Sequence, residues 1–502
     1  MFVSYTFILF LAILFLLYYL IPKSGQWRLL LAASLLFYGA ADVRYLIFIG
    51  ITSLTVYAAA QGLEMCQSGR KAIMFFCLLI NIGILAVVKY TNFALQNINY
   101  IRERMGGNPL GLVDLIVPMG ISFYTFQAVG YLVDVYRGKY KAEKNYFRFL
   151  LFVSFFPQLV QGPISRYDHL SETLYRKHDF EGRQVLSGLE RILWGYFKKL
   201  VIADRIGVAV AALSGSPRYY TGVYVLVNML FYAVQIYADF AGGIDITIGI
   251  AEVFGIRVRE NFIRPYFSKS VAEYWRRWHI SMGTWFKDYV FFSLAASRPL
   301  RKVNQFCKKH FGRAVARRSV LYISTIVLWL STGIWHGAEW RFVVWGLLNG
   351  VILLASDELV PLYRRFHKRF PKLSATGFYR GFQVVRTFFL TSALNLFDVY
   401  GSVRRTFRQF AHMFTRWGRR AMTGEELLEL GLTPGDYFVL VLGVILLFAV
   451  SMCERRGSVR ERLNEKSDAL RYAVVAGMFF CVVLFGTYGQ GYDVQQFIYN
   501  QF

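Results

Sequence analysis

The feature that most constrains this chain is the length of its apolar runs. FVSYTFILFLAILFLLYYLI fills residues 2–21, AIMFFCLLINIGILAVV residues 72–88 and VLVLGVILLFAV residues 439–450. Runs near twenty residues match the hydrocarbon core of a bilayer, where a helix satisfies its own backbone N–H and C=O groups. Composition agrees, because 56% of the 502 residues are hydrophobic and only 18% are charged, too little polar surface to cover soluble cores of this size. The expected fold is an all-α polytopic membrane protein with about ten to twelve transmembrane helices plus re-entrant or short helices. The first run lacks a basic leader and a small-residue cleavage site, so it reads as a retained span.

Breaks and charge organise the rest. Pro118 and Gly120 interrupt one apolar segment, and Pro157 with Gly162-Pro163 interrupts the next. Broken helices at membrane depth are tolerated where they are buried in protein or line a cavity, which points to an internal chamber. The net charge of +26 is concentrated: Arg298 to Arg318 holds eight basic residues and no acidic one, with further clusters at 363–372 and 454–466. Basic loops between spans stay cytoplasmic and attract anionic lipid, an explanation simpler than nucleic-acid binding. The stretch 402–420 is also basic and then falls outside, as an interfacial amphipathic helix with Phe407, Phe410, Phe414 and Trp417 at helical spacing. The five cysteines are scattered and suggest neither a disulfide framework nor a zinc site.

Two segments carry the chemistry. In 261–294, Trp275, Arg276, Arg277, Trp278 and His279 crowd together; an anchoring belt at the membrane interface is the bland explanation. In STGIWHGAEWRFVVWGLLNG (331–350), His336 sits between apolar runs beside Trp335 and Glu339, flanked by Gly333 and Gly337. A histidine at that depth is expected to be neutral, buried and hydrogen-bonded, and a neutral imidazole is a competent general base. The glycines would permit close backbone approach to a ligand. Asp134, Asp239, Asp245 and Glu252 lie in or beside apolar runs, where they would orient a histidine, pair with Arg276 or Arg277, or cap helices. No ligand spacing supports a metal site. These residues fit acyl transfer with histidine as base, and equally proton-coupled transport of an envelope polymer, although transporters commonly carry inverted repeats and none is visible here.

The combination WRRWHIS…W…DY followed by TGIWHGAEWRFVVWG resembles the membrane-bound O-acyltransferase (MBOAT) family, in particular the branch of alginate O-acetylases and D-alanyl-teichoic-acid transferases. SFYTFQAVGYLVDVYRG (122–138), FPQLVQGPISRY (156–167) and YADFAGGIDITIGIAEVFGIRVRENFIRPY (237–266) resemble the same branch. The resemblance implies a single membrane domain, with N-terminal spans (1–110), a catalytic core (111–360), C-terminal spans (361–492) and an aromatic tail (493–502). It implies helices ringed around a tunnel that joins a cytoplasmic donor to an outer acceptor. His336 would be the catalytic histidine and His279 the second motif histidine. Asp134, Asp239, Asp245, Trp275, Arg276, Arg277, Trp278, Trp335 and Glu339 would be tunnel or supporting residues. No cofactor is expected to stay bound; the donor would be acetyl-CoA or another acyl thioester.

Two departures from the branch stand out: AASR at 295–298 and Asn349-Gly350 after the WG motif. GAEW favours O-acetylation of a cell-envelope or exopolysaccharide at a bacterial plasma membrane, with D-alanyl transfer to teichoic acid as the alternative. An SGNH-hydrolase-like acyltransferase outside the membrane is the partner the resemblance implies. The end of the chain, FIYNQF, resembles a Phe-x-Tyr-x-x-Phe acyl-relay motif, so Tyr499 would accept the acyl group; an interfacial aromatic belt would need no such role.

Overall fold

In a computed structural model describing residues 2–66, 68–416 and 424–488, the chain is built from helices, and no strand occurs among the described residues. The tail around Tyr499 and the aromatic Trp417 lie outside the described residues. Among the described residues seven helices are long and apolar enough to cross a membrane, fewer than the ten to twelve crossings expected from hydropathy; the helix Tyr5–Leu20 is shorter, at 16 residues. The protein is a multi-pass membrane protein.

The helices gather into two units. One is built chiefly from Met1–Gly195 with Gly243–Arg259, the other chiefly from Tyr196–Gly242 with the chain from Glu260 onward. The first unit contains α1 (Tyr5–Leu20), α2 (Gln26–Ala41), α3 (Tyr45–Met65), α4 (Arg70–Arg104), α5 (Ile121–Tyr136), α6 (Tyr146–Ser154) and most of α7 (Gly182–Tyr196). Phe7, Phe37 and Phe156 interlock edge-on or tilted within it. Membrane helices gain little from hydrophobic association, since lipid is as apolar as leucine, so close backbone approach does the packing. Gly188 shows this, because a Cβ there would lie 2.8 Å from the Gly249 carbonyl oxygen. Beside it, Arg191 pairs with Asp245 at 2.9 Å. The Pro118–Gly120 break is present as expected: α5 begins only at Ile121, and Gly120 (φ 69°) sits so close to Leu159 O that no side chain fits.

The second unit contains α8 (Asp204–Gly215), the first two-thirds of α9 (Val223–Val253), two short helices α10 (Val271–Arg277) and α11 (Ile280–Trp285), then α12 (Arg298–His336), α13 (Trp340–Glu358), α14 (Gly377–Val399) and α15 (Val403–Thr415). α16 (Pro434–Cys453) and α17 (Asp468–Phe485) follow. The basic stretch 298–318, expected as loop, is helical on both sides of Gly312, whose extended left-handed backbone (φ 84°, ψ 172°) divides α12 into one piece before it and a second that runs on to His336. Hydropathy cannot see a helix made of arginine and lysine, although both are good helix formers.

α12 and α13 form a hairpin closed by the Gly337–Glu339 turn. A Cβ on Gly333 would lie 2.3 Å from Phe342 O, and one on Gly346 would lie 2.4 Å from Trp329 O. At the far end of the hairpin Arg318 pairs with Glu358 at 3.1 Å, and the Tyr322 hydroxyl bonds the same carboxylate. At the near end Arg341 donates to the Asp398 carbonyl at 2.8 Å, joining α13 to the end of α14. Arg313, Arg317 and Arg318 thus lie at one end of this helix pair, near Glu358 and the basic residues that follow it, while His336, Arg341 and Asp398 lie at the other.

Candidate active site

His336 is the last residue of α12, nine-tenths buried, where the chain breaks for the turn at Gly337. Its imidazole meets the Trp345 ring edge-on at 4.6 Å and that of Trp335 at 5.1 Å. Trp335 reaches His279, 5.9 Å between ring centroids, so the two motif histidines flank one indole. Behind them Trp275 packs on Trp329 at 4.8 Å and on Trp345 at 5.7 Å, and its indole N–H donates to Asn349 Oδ1 at 3.1 Å. Asn349, one of the two departures noted in the sequence, thereby anchors the tryptophan shelf, and its own amide donates to Trp345 O at 2.9 Å. Gly333 and Gly337 serve the hairpin rather than a ligand, because a Cβ on Gly337 would sit inside the Phe342 ring.

His279 is fully buried and holds a left-handed backbone (φ 46°, ψ 52°), a conformation costing a non-glycine residue roughly 1–3 kcal/mol. Asn261 holds it there. Ile280 N–H donates to Asn261 O at 3.0 Å, and Ser281 N–H donates to Asn261 Oδ1 at 2.9 Å. With that oxygen engaged, the amide nitrogen Nδ2 faces His279 Nδ1 at 3.1 Å and donates to it. Nδ1 is then the acceptor and the ring proton belongs on Nε2. His279 lies in the segment between α9 and α12, and burial together with the neighbouring His336 holds its pKa well below the usual histidine range. Phe240 closes the other side, edge-on at 4.8 Å.

The remaining predicted residues separate. Trp278 is buried, stacked on Tyr274 and edge-on to Phe262, so it braces α10. Arg277 pairs with Glu273 at 2.6 Å, and Arg276 is exposed. Glu339 pairs with Arg341 at 2.8 Å and tightens the hairpin turn. The ion pairs seen for Asp239, Asp245 and Asp134 are with other cations. Asp239 pairs with Lys199 at 2.6 Å, Asp245 with Arg191, and Asp134 with Lys139 at 3.4 Å. Lys199 also bonds Asp204 at 2.8 Å, a buried triad that sequence reading missed because one partner lies on a seven-residue π-helix, Phe197–Ala203, and another opens α8. Asn261 was missed too, since its amide is 18 residues from the ring it orients and only the turn at His279 brings them together. Among the described residues no group of three or more potential metal ligands occurs.

A buried pair of imidazoles on a tryptophan shelf, in a helical membrane scaffold, is a site equipped for acid–base chemistry. The comparisons make the class specific. The model of the MBOAT, membrane-bound O-acyltransferase, family matches residues 142–306, which takes in His279 and ends before His336. The probable alginate O-acetylase AlgI of Azotobacter vinelandii is 34% identical over 358 residues, 70% of this chain and 67% of its own length. The peptidoglycan O-acetyltransferase of Helicobacter pylori is 29% identical over 71% of this chain and 68% of its own. The teichoic acid D-alanyltransferase of Bacillus subtilis is 28% identical over 55% and 67%. The chain belongs to the membrane-bound O-acyltransferase family and is an O-acyltransferase.

Proposed function

We propose that the chain moves an acetyl group from a cytoplasmic acyl thioester, acetyl-CoA by the resemblance, toward O-acetylation of an envelope or exported polysaccharide at a bacterial plasma membrane. The observation that carries this reading is the placement of His336 at the end of the helix that follows Gly312, opposite Arg313, Arg317 and Arg318 at the start of the same helix. If the basic end faces the cytoplasm, its guanidinium and ammonium groups meet an anionic donor there, and His336 lies toward the outer face. His336 takes the proton of the acceptor hydroxyl as that oxygen attacks the thioester carbonyl. His279, with its proton on Nε2, donates to the developing oxyanion, and the thiolate leaves with the proton returned through His336.

Tyr499 is proposed as the first acceptor, its phenol oxygen forming an ester that an SGNH-hydrolase-like partner outside the membrane then discharges onto the polymer. A phenolate is a better leaving group than an alkoxide, which suits an intermediate. The test is a transfer assay in membranes with isotopically labelled acetyl thioester, together with the intact mass of the C-terminal peptide. His336→Ala is expected to lower transfer about 10²–10⁴-fold, the range for removing a general base. An acetyl adduct on the peptide that vanishes in Tyr499→Phe establishes the relay. Unchanged transfer in His336→Ala overturns the mechanism, and a D-alanyl adduct would move the chain to the alternative substrate.

A further inference from the structure

Trp345 carries an indole N–H for which the fold supplies no acceptor. The residue is 4% exposed, and its backbone carbonyl accepts the Asn349 amide at 2.9 Å. Its neighbour Trp275 gives its own indole N–H to Asn349 Oδ1 at 3.1 Å. The N–H of Trp345 is buried and has no hydrogen-bond partner among the described residues. An indole nitrogen can only donate, and a buried tryptophan N–H ordinarily finds an acceptor. A buried donor without one is rare in a native protein and marks strain or a function.

Its position gives this donor a use. Close packing at Gly333 and Gly346 presses α13 onto α12, and Trp345, next to Gly346, meets the His336 ring at 4.6 Å and 77°. Trp335 comes no nearer than 5.1 Å. In the proposed transfer His336 takes the proton of the attacking oxygen while negative charge gathers on the thioester carbonyl oxygen. Both oxygens are bonded to one carbon in the tetrahedral intermediate, so the base for the first and a donor to the second have to be neighbours. Trp345 is such a neighbour. The ring faces of Trp275 and Trp329 also meet Trp345 edge-on, at 5.7 and 6.2 Å, but an aromatic face is a weak acceptor beside an oxyanion. The N–H therefore gains most as charge develops, and burial strengthens that interaction.

We propose that the Trp345 indole N–H is an oxyanion donor. It holds the acyl carbonyl oxygen, together with His279, as the thioester carbon becomes tetrahedral. When the carbonyl re-forms the C–S bond breaks, the thiolate leaves with the proton carried by His336, and the indole keeps its own proton throughout. The proposal adds a catalytic residue to the acyl-transfer reading and rests on it.

The test uses the full chain in membranes, with labelled acetyl thioester as donor and the acetyl ester formed as readout. Trp345→Phe removes the N–H but also leaves a gap in the shelf. The decisive variant therefore carries benzothienylalanine at position 345, whose sulfur replaces the N–H in a bicyclic ring of the same shape. Its kcat is expected to fall about 10²–10³-fold, the loss that follows removal of one oxyanion donor, with the KM for the thioester little changed. Melting temperature and the pH profile of transfer are expected to match wild type, since shelf and base are intact. Unchanged kcat in this variant would overturn the donor role and leave Trp345 a packing residue. So would a fall in kcat accompanied by a lower melting temperature or a displaced pH profile, which would trace the loss to packing around His336. Wild-type protein that forms no acetyl ester would remove the acyl-transfer reading and this donor with it, whereas wild-type transfer with no loss in the variant removes the donor alone.

Discussion

Replacing Gly346 by alanine tests whether the α12–α13 hairpin positions His336. The added methyl would lie 2.4 Å from Trp329 O and 3.0 Å from Gly333 Cα. Non-bonded carbon contacts settle near 3.5 Å, so the two helices must part by about 1 Å. Both contacts are backbone, which leaves no side chain to swing aside. Overpacking of this kind costs typically about 1–3 kcal/mol, which a hairpin pinned by Arg318–Glu358 and Arg341–Asp398 is expected to survive. Its geometry is not expected to survive, because Trp345 precedes Gly346 and carries the ring against His336. A displacement near 1 Å at reacting groups lowers turnover about 10²-fold. The measurement is alkali-releasable O-acetyl ester on envelope glycans from cells whose only copy is the variant, normalised to folded protein by size-exclusion fluorescence. Gly381→Ala is the control, since a Cβ there meets nothing within 4 Å; it is expected to be active and slightly more stable. Full activity in a folded Gly346→Ala protein would refute the claim that glycine packing sets the histidine's position.

Three further outcomes follow from the same geometry. Asn261→Ala removes the amide that fixes the His279 tautomer and backbone, so stability is expected to fall by about 1–3 kcal/mol with a larger loss in transfer; unchanged transfer at equal protein level would exclude the orienting role. Lys199→Met strands two buried carboxylates and is expected to cost about 3–5 kcal/mol, most of it recovered when Asp204→Asn and Asp239→Asn are added; no recovery would show that the triad acts otherwise than through buried charge. His279 has a folded pKa below its unfolded value, so the folded state loses stability as pH falls through the unfolded value near about 6.5. The gap in melting temperature between wild type and His279→Gln is then expected to narrow between about pH 7.5 and pH 5.5, and a gap that widens would reverse the sign argued here.

What the sequence made legible depended on whether the physical cause was local. Membrane immersion is local, since each apolar run reports its own surroundings, and so is the break before Ile121, written in Pro118 and Gly120. The burial of His336 was legible because the histidine stands between apolar runs. That the two histidine segments converge, with Trp335 between the rings, was not written in either segment alone. What failed was every assignment of a partner. Asp239, Asp245 and Asp134 looked available to a histidine or to Arg276 and Arg277, yet each meets a cation that no periodicity marks. Gly333 and Gly337 looked like room for a ligand and instead let Phe342 approach, because a glycine's neighbour is chosen by the opposite helix. The same logic explains α12. Its basic half was invisible to hydropathy but helical by propensity, and Gly312 (φ 84°) divides it into two helical pieces. Arg313, Arg317 and Arg318 open the helix that His336 closes, so charge and imidazole lie at opposite ends of one span. If the proposed thioester donor meets this cationic segment, a variant one turn shorter before Gly312 is expected to raise the KM for the donor and leave the His336 shelf intact, and an unchanged KM would separate the segment from donor binding.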